Sequence, residues 1–306
     1  FLGRVNPERE KQLASRLLDQ QLPDGGWPIY AGGPGEINAS VKAYFALRLS
    51  GHPVTSPVLQ KARTQILKLG GLGKVNSFEK FYLAMFGLYP WSQVPAIPPE
   101  IMLLPKRFVF NIYEVSAWSR TILVPLTILF ALRPEKSIPE GLTLDELWAD
   151  PNHRINVMPD TRSGWKSFFL ICDWFLKRIE QSPFKPFRKK ALRLAESWLL
   201  DHLVDSEGLG AIYPAMINAV FALTALGYQD GDPLLERCID EVERLSVREG
   251  SGVRMQPCFS PVWDTAYALY ALSVSPNDDL NDPLAKANRW LRSKEVRRYG
   301  DWAIKN

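Results

Sequence analysis

Three stretches of this chain repeat one pattern, and that repetition limits the fold more than any other feature. They are Asn38-Ala-Ser-Val-Lys-Ala-Tyr-Phe-Ala-Leu47, Asn218-Ala-Val-Phe-Ala-Leu-Thr-Ala-Leu226 and Asp264-Thr-Ala-Tyr-Ala-Leu-Tyr-Ala-Leu272. Each starts on Asn or Asp, runs through small and aromatic residues, and closes in Ala-Leu. Small residues at helical spacing let helices approach closely. The polar first residue can cap the helix or face a cavity. After a short loop each stretch is followed by a second start signal: Ser56-Pro57, Asp232-Pro233 and Asp282-Pro283. There an N-cap oxygen can accept an orphan backbone N–H, and the proline has no N–H to leave unpaired. The segments that follow are charged, with Gln60, Lys61 and Arg63, then Glu236, Arg237 and Glu241, then Lys286, Arg289 and Arg292. Recurring pairs of an apolar and an amphipathic helix predict an all-α fold, either an array or a closed α/α toroid of inner and outer helices.

A turn completes the unit. Gln20-Gln-Leu-Pro-Asp-Gly-Gly-Trp27 is its clearest copy, Asp205-Ser-Glu-Gly-Leu-Gly210 a degraded one, and Gly300-Asp-Trp302 a third. The expected geometry is a helix C-terminus, a glycine turn, and an indole donating its N–H to a carbonyl. These turns read as structural clamps between helix pairs.

Composition narrows the class. Hydrophobic residues make up 46% and charged residues 23% of 306, which excludes a disordered chain. The net charge of +4, from 37 basic and 33 acidic residues, lacks the excess that a nucleic-acid partner selects. Cys172, Cys238 and Cys258 are too few and scattered for a disulfide framework, which points to a reducing compartment. The apolar run Thr121–Leu132, interrupted by Pro125, falls short of the ~20 residues of a spanning helix and reads as a buried one. No signal peptide opens the chain, which starts on Phe1 and reads as a fragment or processed piece.

Longer stretches are more specific: Gly25-Gly-Trp-Pro-Ile-Tyr-Ala-Gly-Gly-Pro34, Val94-Pro-Ala-Ile-Pro-Pro-Glu-Ile-Met102, Asn111-Ile-Tyr-Glu-Val-Ser-Ala-Trp-Ser-Arg120, Gly210-Ala-Ile-Tyr-Pro-Ala-Met216 and Ser260-Pro-Val-Trp-Asp-Thr-Ala266. With the Gln…Asp-Gly-Gly-Trp27 turn, which resembles a QW motif, they make the chain similar to the squalene–hopene cyclase family of class II triterpene cyclases. The similarity follows the family's order and covers nearly the whole chain.

The resemblance implies two α/α barrels flanking a large cavity, with residues 1–30 a leading helix and turn, 31–248 the first barrel and 249–306 the truncated start of the second. It implies an isomerase (an intramolecular transferase) of hopanoid biosynthesis that protonates and cyclises squalene or a related polyprene. No metal or nucleotide cofactor is implied. The implied location is peripheral, on the cytoplasmic side of the membrane, and a homodimer stays open. The family's general acid lies in an Asp-x-Asp-Asp-Thr-Ala motif expected shortly after Gly300-Asp-Trp302, so this piece is expected to be inactive alone. Two rivals stay open: a cyclase of the same fold with another polyprene, and a non-catalytic toroid that binds a lipid or protein.

Carbocations need a dry cavity lined with π-faces, which stabilise charge without attacking it. By resemblance, Trp165 lines that cavity, Trp263 faces substrate, and Asp264 orients the surroundings of the acid. A cap for the helix to Leu272 is the other reading of Asp264. Ile212, Tyr213 and Pro214 match the far end, where the last cation is quenched. Many hopene-forming members carry glutamine at the place of Tyr213, which leaves the hopene-versus-alcohol outcome open. Lys42, a glutamate in the family's bacterial members, reads as a surface or ion-paired lysine. Trp118 and Tyr113 divide evenly between cavity lining and core. Asp278-Asp-Leu-Asn-Asp282 spells a magnesium-binding pattern of class I terpene synthases, but it reads as a loop ending at the Asp282-Pro283 cap. The basic run Lys185–Arg193 reads as a solvated outer face, with anionic lipid as its alternative. His52, His153 and His202 receive no role.

Overall fold

A computed structural model describes residues 1–150, 152, 164–204, 206–249, 252–275, 280–297 and 299–301. Asp205, Trp302, His153, Asp278 and Asp279 lie outside the described residues, and with them parts of two clamp turns and of the acidic loop.

The architecture is an α/α toroid of mostly helical structure. Its helices are α1 (Pro7–Asp19), α2 (Ile37–Leu49), α3 (Pro57–Lys68), α4 (Ser77–Met85), α5 (Ala117–Leu132), α6 (Gly164–Gln181), α7 (Arg188–Leu203), α8 (Tyr213–Leu226), α9 (Pro233–Glu243), α10 (Pro261–Ser273) and α11 (Asn281–Ser293). The predicted partners are in contact: α2 with α3, α8 with α9, and α10 with α11. Helix α5, carrying the Thr121–Leu132 run, is buried as expected and packs on α7 and α8. Val124, Leu126, Ile128, Leu129 and Phe130 meet Ala219, Val220 and Leu223 in one core cluster. Burying each such large side chain is worth about 1.5–3 kcal/mol.

Of the two readings of the polar first residues, a cap or a cavity-facing group, the cap does not hold. Asn38, Asn218 and Asp264 do not cap. The caps are Glu36, Ile212 and Ser260, so the three polar residues sit inside α2, α8 and α10. Asp232 does cap α9, accepting from Leu234 N and Leu235 N. Ser56 takes the cap position of α3 without a side-chain bond, whereas α11 begins at Asn281 and draws Asp282 and Pro283 into its first turn. The other departure is a hairpin, β1 (Ser246–Glu249) antiparallel to β2 (Gly252–Met255), with Val247 opposite Arg254. It packs against α1, whose Arg9 bonds Ser246 Oγ and Arg16 reaches Glu249.

The first clamp turn has the expected geometry. The buried Trp27 donates its indole N–H to Leu17 O, a last-turn carbonyl of α1, at 2.7 Å. Gln21 Nε2 donates to Gly25 O and to Val58 O in α3, both at 2.9 Å, and so ties α1 to the next pair. Gly25 has φ +90, and a Cβ there would meet Lys61 O at 2.5 Å, so no other residue fits. Trp27→Phe keeps an aromatic ring but removes the indole bond, while Leu17 O keeps the longer backbone bond from Gln20 N at 3.3 Å. It is expected to cost about 0.5–1.5 kcal/mol in a denaturant titration.

Candidate functional site

Two of the sequence-selected segments are joined by backbone. Tyr213 N donates to Pro257 O at 2.8 Å, and Phe259 N to Ala211 O at 3.0 Å, which forms a bridge between Ile212 and Cys258. The Ile212–Pro214 corner, where α8 starts, is therefore fixed beside the Ser260–Asp264 start of α10. Tyr213 keeps 37% of its surface exposed, yet its hydroxyl end is buried deeply enough to push the phenol pKa upward.

Ser260 caps α10 by position, and its hydroxyl donates to Asp264 Oδ2 at 2.9 Å. Asp264 thus lies in the first turn, where a carboxylate suits the positive helix end. It borders an open polar cavity of about 500 Å³ with Glu207, Cys258, Ser260, Trp290 and Lys294. One residue earlier, Trp263 stacks on Tyr267 at 5.7 Å, and both rings are exposed. Tyr270 extends this uncovered face of α10, and Val262 and Leu272 are exposed as well.

Trp165 lies apart, at the start of α6, with 71% of its surface exposed. It stacks on Phe169 and meets the edge of Phe168, which in turn stacks on Phe110 at 5.9 Å. Ile171, Trp174, Phe175 and Ile179 continue the exposed apolar surface of α6.

Tyr113 and Trp118 precede and open α5. Trp118 is exposed, whereas Tyr113 is partly buried between two cations, Lys106 Nζ at 5.3 Å and the Arg120 guanidinium at 5.5 Å. The buried Arg120 donates to Val115 O at 2.7 Å and from Nε to Asp301 Oδ2 at 3.1 Å. His202, given no role from sequence, reaches the same oxygen from Nε2 at 3.2 Å. Its Nδ1 lies 2.7 Å from Trp198 O and its ring stacks on the Trp198 indole. Both ring nitrogens face acceptors. Segment 299–301 is thereby locked onto α5 and α7.

Lys42 is ion-paired, with its Nζ 3.1 Å from Glu79 Oε2. Glu79 is 2% exposed, and burial pushes its carboxyl above the usual range, with Lys42 opposing. Beside it Tyr82 donates its hydroxyl to Asn218 Oδ1 at 2.9 Å. These residues were not selected from sequence as a group. The signal available was an asparagine interrupting the apolar run of α8.

In the basic run, Lys185 and Arg188 turn inward to the nearly buried Glu180, at 2.8 and 2.6 Å. Lys189, Lys190 and Arg193 stay exposed, as a solvated outer face requires. The three cysteines are free thiols. Among the described residues no helix is long and apolar enough to cross a membrane.

The sequence matches the family model described as squalene-hopene cyclase N-terminal domain over residues 1–251, and that described as squalene-hopene cyclase C-terminal domain over residues 259–306. It is 36% identical to a squalene–hopene cyclase of Zymomonas mobilis across 97% of this chain and 46% of the relative. It is 34% identical to the squalene–hopene cyclase of Alicyclobacillus acidocaldarius across 100% and 48%, and 34% identical to a dammaradiene synthase of Dryopteris crassirhizoma across 94% and 42%. The chain spans about half the length of these curated relatives.

Proposed function

Because the chain belongs to the squalene–hopene cyclase family, we propose that it forms part of a triterpene cyclase that folds squalene or a related polyprene and guides its proton-initiated cyclisation to a hopene- or hopanol-type pentacycle. The observation that carries this reading is the Ile212–Cys258 bridge. It sets the aromatic start of α10 beside the start of α8, where two family segments meet. The reading takes residues 31–248 as the first barrel and 249–306 as the opening of the second. The division of the two family models between residues 251 and 259 supports that boundary.

Protonating an isolated alkene creates a bare carbocation, so the proton donor must be a strong carboxylic acid in a dry cavity. The 306 residues contain no Asp-x-Asp-Asp pattern. Our reading therefore assigns them the walls of the cavity and assigns the donor to residues outside them. Trp263 and Trp165 would offer π-faces to the migrating charge, with Tyr113 and Trp118 further along. Asp264, fixed by Ser260, would orient groups around the donor rather than protonate substrate. Ile212, Tyr213 and Pro214 would close the far end. Proton, polyprene and water supply every atom of the proposed products. The exposed apolar surface of α6, with Lys189, Lys190 and Arg193 nearby in sequence, supports peripheral membrane contact, through which a water-insoluble polyprene would arrive. The dammaradiene synthase among the relatives favours keeping a second reading, a cyclase of this fold with another product.

The test is turnover of squalene by the longer protein that contains these residues. A desolvated cation–π contact is worth about 2 kcal/mol or more, so Trp165→Ala and Trp263→Ala should each slow cyclisation roughly thirtyfold while the fold stays intact. Asp264→Asn should also slow it. Unaltered turnover in all three purified variants would remove these residues from the reaction.

A further inference from the structure

The buried carboxylate of Glu79 is the least explained charge in the molecule. A carboxylate at 2% exposure is costly unless paired, and its Oε2 lacks a hydrogen bond of good geometry. Lys42 stands 3.1 Å away on a side chain that is more than half exposed. The pair is built deliberately. Asn76, the N-cap of α4, accepts from Glu79 N at 2.9 Å, and its own N–H donates to Asn38 Oδ1 in α2 at 2.7 Å. Lys42 follows Asn38 by one helical turn, so this staple sets α2 and α4 in the register that brings ammonium and carboxylate together.

The pair does not face a polar interior. It borders a cavity of about 200 Å³ whose other walls include Phe45, Phe86, Tyr82, Tyr213 and Phe221, from α2, α4 and its C-cap, and α8. Phe45 meets Phe86 at 5.4 Å, and Tyr82 meets Phe221 at 6.3 Å. The fully buried Asn218 adds an Nδ2 without a hydrogen-bond partner beside the Tyr82 hydroxyl. Aromatic faces around a single carboxylate suit a transient carbocation, and the volume suits one branched hydrocarbon end rather than a whole ring system.

We propose that Glu79 is the base that ends the cyclisation, with Lys42 holding it ionised until the cation arrives. The inference rests on the functional reading above, which puts the last cation at the Ile212–Pro214 end. In this step a methyl C–H next to the cationic carbon gives its proton to a Glu79 carboxylate oxygen. The C–H electron pair becomes the C=C π bond, the cation is neutralised, and Glu79 becomes a neutral acid. Its proton then leaves to solvent along the exposed Lys42 side. Burial raises the proton affinity of Glu79, which favours this transfer. The competing outcome is attack by water, which gives an alcohol and releases a proton. Glu79 is thus a specificity-determining residue that biases the product toward the alkene.

The experiment is product analysis by gas chromatography and mass spectrometry after squalene is incubated with the longer protein. Two quantities are read, total cyclic product and the alkene-to-alcohol ratio. Glu79→Gln should lower the ratio by about tenfold or more, as loss of a general base implies, and Glu79→Asp should restore part of it. A role confined to packing would change the total and leave the ratio unmoved. Lys42→Met lowers the ratio too, and decides the matter if Glu79→Gln does not fold. An unchanged ratio in the folded variants overturns the role of Glu79 while leaving the functional reading intact. Absence of any cyclic product from the unsubstituted protein overturns that reading and this inference with it.

Discussion

Asp301→Asn should lower the unfolding midpoint of this chain by on the order of 10 °C. Arg120 is 6% exposed, and Asp301 faces it at 3.1 Å. Removing one partner of a buried ion pair leaves an uncompensated buried charge and typically costs about 3–5 kcal/mol. In a domain of this size each kcal/mol moves the midpoint by about 2–4 °C. The amide keeps one acceptor oxygen for Arg120 and His202 but no charge. Replacing the pair by apolar residues, Arg120→Met with Asp301→Leu, should recover much of the loss, because desolvation of both charges is then avoided. Arg120→Met and Asp301→Leu made singly, together with this double variant, form a thermodynamic cycle read by calorimetry. A shift under ~2 °C for Asp301→Asn would mean that segment 299–301 does not dock on α5 and α7 as described.

The helix pairing was legible because it is a local property. Apolar residues at helical spacing and prolines after a capping residue act within a few positions, so α2–α3, α8–α9 and α10–α11 could be read from the chain. The starts were misplaced for an equally local reason. Ser260-Pro261 is the same N-cap and proline signal that marks α9, but Asp264 three residues later competed with it. At α8 the signal is Pro214 at the second helical position, preceded by Ile212, which has no side chain able to cap. The hairpin escaped because its strands are four residues each, and because Arg248, Glu249 and Arg254 hide the period of two.

Tertiary juxtapositions left no trace at all. Arg120 and Asp301 are 181 residues apart, and Tyr82 and Asn218 are 136 apart. Lys42 was legible as a surface or ion-paired lysine, but its partner Glu79 was not, since the pairing depends on the Asn38–Asn76 staple between two helices. The resemblance fared well for family and fold, which many residues determine together. Single cavity residues such as Trp165 and Trp263 remain proposals, because an exposed indole on an uncovered helix face takes its role from whatever covers that face.

The 306 residues purified by themselves are expected to cyclise nothing. In our reading they supply cavity walls without a proton donor. Asp264, at the start of α10, accepts a hydrogen bond from the Ser260 hydroxyl at 2.9 Å and is read as an orienting group. The exposed Val262, Trp263, Tyr267, Tyr270 and Leu272 also leave much apolar surface on α10, which should make the isolated chain prone to association. The central claim is that these residues shape a carbocation cavity that acts only with a donor from beyond them. Its most direct test is a side-by-side incubation of squalene in detergent with the folded 306-residue chain and with the longer protein, each read by gas chromatography and mass spectrometry. The account predicts pentacyclic triterpene from the longer protein and none above the no-protein control from the 306 residues. Cyclic product from the 306 residues, or none from the longer protein, would contradict it.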